Sequence, residues 1–145
     1  MSPDAYILLG IFMGLLFTEL TGVSPGGLIV PGYIALYLRE PLAIALTVTI
    51  ALVTMGILRL ASRYALLYGR RRFAVSIIAA CALSALARRF LPSISPALAG
   101  LRAVGWIVPG IIASDMEKQG PVKTLLAMGA VVAVVYTVSL AWAWA

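Results

Sequence analysis

Apolar residues run along this chain in long uninterrupted blocks, bounded by charges, prolines and glycines. Ala5 to Thr18 is uncharged, and Glu19 alone separates it from a second uncharged stretch, Leu20 to Leu38. Pro41 to Leu58, Phe73 to Ala87 and Thr124 to Ala145 are uncharged too. A hydrocarbon core of about 30 Å takes about 20 helical residues to cross. The 18 residues from Pro41 and the 22 from Thr124 therefore predict spanning helices. Pro41 suits a first helical turn, where a missing amide proton costs nothing. Trp142 and Trp144 suit an interfacial anchor at the end of the last block. The pattern predicts an all-α integral membrane protein.

The first block does not resemble a cleavable leader, because Asp4 stands where a positive charge is expected and no small-residue cleavage site follows, so it is read as a retained helix. Gly10 and Gly14 form a G-x-x-x-G that would let a neighbouring backbone approach one face of it, unless they reflect only the abundance of glycine in membrane helices.

Two stretches are interrupted by Pro-Gly. They are Gly27 to Leu36, containing Ile29-Val30-Pro31-Gly32, and Gly105 to Ser114, containing Ile107-Val108-Pro109-Gly110. Aligned at an offset of 78, they agree at seven of ten positions. The chain is therefore expected to be an internal duplication with halves of about 1–64 and 73–145 joined by an arginine-rich loop. Each half would hold a helix, a Pro-Gly-broken element and a second helix. The elements are short for a crossing, which predicts re-entrant segments and four full spans, with both termini on the side of the arginine loop. Full crossing would instead give three spans per half and inverted halves. Irregular backbone at membrane depth is tolerated where protein buries it or it lines a cavity, and paired interrupted segments point to a transport site. Simple kinks in ordinary helices are the alternative.

Composition sharpens the picture. Of 145 residues 63% are hydrophobic and 11% charged, against about 25% charged in soluble domains. There is no histidine, which removes imidazole bases and Ser-His or Cys-His nucleophile pairs, and the single Cys81 allows no intramolecular disulfide or thiolate cluster. No G-x-x-x-x-G-K-[ST] phosphate loop is present, so nucleotide chemistry would belong to a partner. No metal site or cofactor is expected. The net charge of +6 flanks apolar runs without forming an aromatic-interleaved soluble surface, which argues for topology, anionic lipid or an anionic substrate and against nucleic acid. Arg59, Arg63 and the triplet Arg70-Arg71-Arg72, with Tyr64 and Tyr68 between, predict a cytoplasmic loop.

Three ordered motifs carry a resemblance. Thr21 to Tyr33 (TGVSPGGLIVPGY), Tyr68 to Ala74 (YGRRRFA), and Gly105 to Ala113 (GWIVPGIIA) followed by Glu117-Lys118-Gln119-Gly120 resemble the PgsC/CapC family of poly-γ-glutamate synthase subunits over nearly the whole chain. Ser24, Gly26, Arg72 and Trp106 depart modestly from the family pattern. The resemblance implies a multi-pass protein of a bacterial plasma membrane. Its implied partners are an ATP-dependent ligase subunit (PgsB/CapB-like) and a membrane-anchored outer subunit (PgsA/CapA-like). Such complexes polymerise glutamate through its γ-carboxylate and export the product, and this subunit would be non-catalytic. A stand-alone transporter of an anionic metabolite and a passive membrane scaffold are the competing readings.

The residues singled out follow from charge and backbone. Glu19, isolated among apolar residues, needs a partner, neutralisation or water; Arg88, Arg89 and Arg102 are candidate partners, and an interfacial position is the plainer reading. Pro31, Gly32, Pro109 and Gly110 are expected at the substrate path together with Arg102, which precedes the second motif. Arg70, Arg71 and Arg72 are expected to set topology and to dock the ligase or gather anionic polymer. Asp115, Glu117 and Lys118 are expected in a solvated turn.

Overall fold

The computed structural model describes residues 2–66, 68–94 and 107–145, with side chains left aside for 91–94. Every element in those residues is a helix: α1 (Pro3–Thr21), α2 (Val30–Leu36), α3 (Pro41–Tyr64), α4 (Arg70–Ile94), α5 (Val108–Gln119) and α6 (Pro121–Trp144). Four helices are long and apolar enough to cross a membrane, namely α1, α3, the Arg70–Phe90 part of α4, and α6. Each block outgrows its uncharged stretch because its end charges are helical too. Arg59 and Arg63 lie inside α3, and Arg70 to Arg72 open α4.

The termini of the helices follow local chemistry. The Ser2 hydroxyl accepts from the Ala5 N–H at 3.3 Å and caps α1, whose proline sits in the first turn. Pro31 and Pro109 also lie in the first turns of α2 and α5, so Pro-Gly opens a short helix there and does not break a longer one. In the first half the irregular backbone lies upstream, between Gly22 and Ile29, where Gly26 (φ 84°) and Gly27 (φ 106°) adopt left-handed conformations that side-chain-bearing residues avoid.

The first Pro-Gly element runs back along α1. Leu28 lies beside Gly14, Gly32 beside Gly10 and the backbone of Tyr6 and Ile7, and Leu36 and Arg39 share a cleft with Tyr6. The chain thus leaves α1 at Gly22 and reaches Arg39 near the start of α1. That course follows the length of α1, while the span-length helices among the described residues are α1, α3, α4 and α6. A small residue count does not forbid the crossing, because irregular chain covers up to about 3.3–3.6 Å per residue against 1.5 Å in a helix. The second element is likewise antiparallel to its preceding helix, with Gly110 beside Ser76 and Ile77, and Glu117 bonded to Arg72 at the start of α4.

The ends of the bundle can be told apart by their residues. Ser2, Ala5, Leu8 and Leu9 line a cleft with Val138 and Trp142, so both chain termini lie together. Ser24 is tied to Asp115 and Gln119, and Arg72 to Glu117, at the opposite end. The four-span expectation placed the termini with the arginine loop; the described residues hold four span-length helices, and both termini lie at the end opposite Arg72.

One core joins the six helices. It gathers Val30, Ile34 and Ala35 of α2, Ala51 and Leu58 of α3, Val108, Ile112, Ala113 and Met116 of α5, and Met128, Val131, Val132 and Val135 of α6. The short helices are its centre: Ile112, Ala113 and Met116 are fully buried, while α1 buries only Gly10 and Gly14. Burying the middle elements leaves the long helices to present Leu8, Phe12, Leu20, Ile78, Leu126 and similar side chains outward, as lipid-facing helices do. Two buried hydroxyls of α3 are satisfied locally, Thr54 donating to the Ile50 carbonyl at 2.7 Å and Thr47 to that of Ala43 at 2.8 Å.

Candidate functional site

The Pro-Gly pairs are glycine contacts inside the core. A Cβ on Gly32 would meet the Ile7 Cα and the Tyr6 carbonyl oxygen at 2.9 Å, and one on Gly110 the Ile77 Cα at 2.9 Å and the Ser76 carbonyl at 3.0 Å. Gly10 faces Gly32 so closely that a Cβ would stand 2.3 Å from its Cα. The expected packing role of Gly10 and Gly14 is thus present, with α2 as the backbone that approaches. In the second half Ala80 stands against Gly110, and the Ser76 hydroxyl donates to the Gly110 carbonyl at 3.1 Å.

The two glycines press on different helices, Gly32 on α1 and Gly110 on α4. The elements touch through the preceding glycines of the first, where Gly26 lies 3.5 Å from Ile112 Cγ1 and Gly27 abuts Ile111, measured from an added Cβ. Val30 and Val108 share the hydrophobic core.

A polar knot clasps that junction at the arginine end. The Ser24 hydroxyl donates to Asp115 Oδ2 and accepts from the Gly27 N–H at 3.2 Å. The Ser24 N–H donates to Gln119 Oε1 at 3.0 Å, and the Gln119 amide donates to the Ser24 carbonyl and to the Thr124 hydroxyl. Nearby, Arg72 Nε donates to Glu117 Oε2 at 2.9 Å and a second nitrogen reaches Oε1, making a bidentate pair. Glu117 is 4% exposed in its side chain and Asp115 is part-buried, so the expected solvated turn is instead the last part of α5. Neither Ser24 nor Gln119 was legible as a contact, since 95 residues separate them; only the Ser-Pro-Gly-Gly run signalled a turn of special geometry.

The remaining sequence-predicted residues divide by end. Arg70 and Arg71 are exposed at the arginine end with Arg59 and Arg63, while Arg72 is engaged by Glu117. Glu19 is exposed near the close of α1, at that same end. Arg88 and Arg89 lie toward the far end of α4, whose Leu86, Ala87 and Phe90 pack beside Leu46 and Thr49 of early α3, so neither stands near Glu19. Arg102 lies outside the described residues. Two clefts mark the ends. One of about 470 Å³ is lined by Tyr6, Leu36, Arg39, Tyr136 and Ser139 among others. The other, of about 620 Å³, is lined by Arg70, Arg72, Ser114 and Lys118 with Gly69 and Phe73.

Four span-length apolar helices around a core of two short Pro-Gly helices define an α-helical membrane protein with one arginine-rich end. Among known proteins, the family model described as "Capsule biosynthesis CapC" matches residues 9–125. The chain belongs to that family. It is 40% identical to the PGA biosynthesis protein CapC of Bacillus subtilis over 93% of this chain and 95% of the relative. It is 38% identical to the capsule biosynthesis protein CapC of Bacillus anthracis over 82% of each. No solved structure matches it.

Proposed function

We propose that the chain is a non-catalytic, multi-pass subunit of a bacterial plasma-membrane complex that makes and exports poly-γ-glutamate, and that its arginine end docks the ATP-dependent ligase. The observation that carries this is the segregation of Arg59, Arg63, Arg70 and Arg71 to one exposed end of an apolar bundle in a CapC-family chain. The capsule and PGA names of its relatives supply the pathway. The positive-inside rule puts that end in the cytoplasm, where ATP and ligase would be, and leaves the end holding both termini for a membrane-anchored outer subunit. Acyl-phosphate chemistry stays on the ligase, since the chain carries no phosphate loop.

The internal duplication is part of the same proposal, now with inverted halves of about 1–64 and 73–145, each of three passes. Adding 81 to the buried positions Ala43, Thr47, Ile50, Ala51, Thr54 and Leu58 of α3 gives Thr124, Met128, Val131, Val132, Val135 and Ser139, all buried on α6. Gly32 and Gly110 meet Ile7 and Ile77, 70 residues apart, through the same backbone contact. Leu36 and Ser114, 78 apart, line clefts at opposite ends, as an inverted pair would. Glu19 then marks the cytoplasmic interface. The packing favours a structural role for Pro31, Gly32, Pro109 and Gly110, so the docking reading does not depend on a path between them.

The test uses membranes containing the full chain and its ligase. Arg63→Glu with Arg71→Glu is expected to abolish co-purification of the ligase and to lower polymer yield at matched expression, while the purified chain alone makes no polymer from ATP and glutamate. Undiminished co-purification would sink the docking role, and polymer from the chain alone would sink the non-catalytic one. Transport of a small anionic metabolite into vesicles by the chain alone would favour the stand-alone transporter.

A further inference from the structure

The larger end cleft is lined by neither Arg63 nor Arg71, the two residues whose replacement tests ligase docking. Where the first turn of α4 meets the C-terminal half of α5, Gly69, Arg70, Arg72, Phe73, Ser114 and Lys118 enclose an open space of about 620 Å³. Three of those six residues are cations. The carboxylate beside them, Glu117, is bonded bidentately to Arg72, so its charge offsets that arginine alone. Among the described residues Arg70 and Lys118 have no carboxylate within ion-pair distance, which leaves the cleft an excess of positive charge. The N-terminal end of the 25-residue α4 opens at Arg70 and adds the positive pole of its dipole.

Depth and shape narrow the anion. Tyr64 and Tyr68, 86% and 74% exposed, flank the cleft in the chain and fit the aromatic belt at headgroup level. Phe73 is 42% exposed on the cleft wall and offers an apolar surface beside the cations. Behind the cleft the way inward is shut, because Ser114 is 3% exposed and Ile112 and Met116 are fully buried. A long soluble polyanion would find a dead end there. A phosphodiester on two acyl chains needs only a cationic seat at the membrane surface and an apolar wall beside it, the arrangement of basic inter-helix pockets that hold lipid headgroups.

We propose that the cleft of Arg70, Arg72, Ser114 and Lys118 is a binding site for the phosphate headgroup of an anionic phospholipid in the cytoplasmic leaflet. Arg70 and Lys118 supply the unneutralised charge. Arg72, held by Glu117, forms part of the wall. Arg71, which does not line the cleft, stays available at the exposed surface.

The experiment is native mass spectrometry of the detergent-purified full chain after incubation with equal phosphatidylglycerol and phosphatidylethanolamine. The wild type is expected to retain phosphatidylglycerol preferentially. Arg70→Gln and Lys118→Gln should each lower retention about fivefold and together about 25-fold, as the loss of one headgroup-seeking cation apiece implies. Arg59→Gln with Lys123→Gln, which removes the same charge at the same end outside the cleft, should stay within about twofold of wild type. Circular dichroism confirms that the variants are folded. Equal retention of the two lipids, or equal loss in the control pair, would overturn the site. Displacement of the lipid by inorganic phosphate would assign the cleft to a free anion, and displacement by soluble poly-γ-glutamate to the polymer; either overturns the lipid assignment.

Discussion

Gly10 carries the tightest constraint among the described glycines, since any side chain there must enter the backbone of Gly32. Gly56 and Gly129, by contrast, would have nothing within 4 Å of an added methyl group. Gly10→Ala should therefore lower stability in detergent by about 1–3 kcal/mol through overpacking. Gly56→Ala and Gly129→Ala should be neutral or stabilising by up to about 1 kcal/mol, because alanine is the better helix former. Thermal unfolding of the three variants side by side checks this, and a Gly10→Ala melt equal to the other two would contradict the contact. The G-x-x-x-G spacing made Gly10 visible in the sequence. Gly32 was visible for another reason, its Pro-Gly repeat, and nothing along the chain announced that the two glycines face each other.

At the scale of the element, α2 and α5 are alike in sequence and in what they do. Each starts on Pro-Gly, presses its glycine onto the long helix before it, and buries its remaining apolar residues at the centre. Replacing Pro31-Gly32 or Pro109-Gly110 by Ala-Ala should cost stability in both cases while the protein still inserts, because insertion follows overall apolarity. Since the two glycines touch different helices, the losses should add within about 0.5 kcal/mol in the double replacement. Polymer yield and unfolding midpoints for both singles and the double read this. A double replacement little worse than either single would favour the reading of one shared functional site. The motif repeat identified these elements, but motif spacing alone could not distinguish a site from a pair of packing joints.

At the scale of the whole molecule, both termini fall opposite the arginine triplet, which is the arrangement that the proposed inverted halves require. A fusion at Ala145 should then report an external location and one in the loop at Tyr68 a cytoplasmic one. Alkaline phosphatase and fluorescent-protein fusions at the two positions provide complementary signals. Fluorescence from Ala145 would restore two spans and a re-entrant element in each half. Arg39, Arg88 and Arg89 would lie outside in this arrangement, against the positive-inside preference, but fewer cations lie there than at the arginine end among the described residues.

The sequence by itself determined the class, the family and the unequal ends. Apolar run length sets whether a helix can span, charge clusters set which side faces the cytoplasm, and glycine-proline motifs are local signatures that survive without knowledge of contacts. The tertiary structure decided what each of those residues touches. The pairing of Arg72 with Glu117 and the clasp of Ser24 on Gln119 join segments far apart in the chain, and hydropathy does not encode partners. The course of the first Pro-Gly element along α1 was decided there as well. The first Pro-Gly element is short for a helical crossing, yet the irregular Ser24 to Ile29 backbone lengthens its reach. Burial against α1, α5 and α6 lets that irregular backbone lie within the bundle, as it could not against lipid.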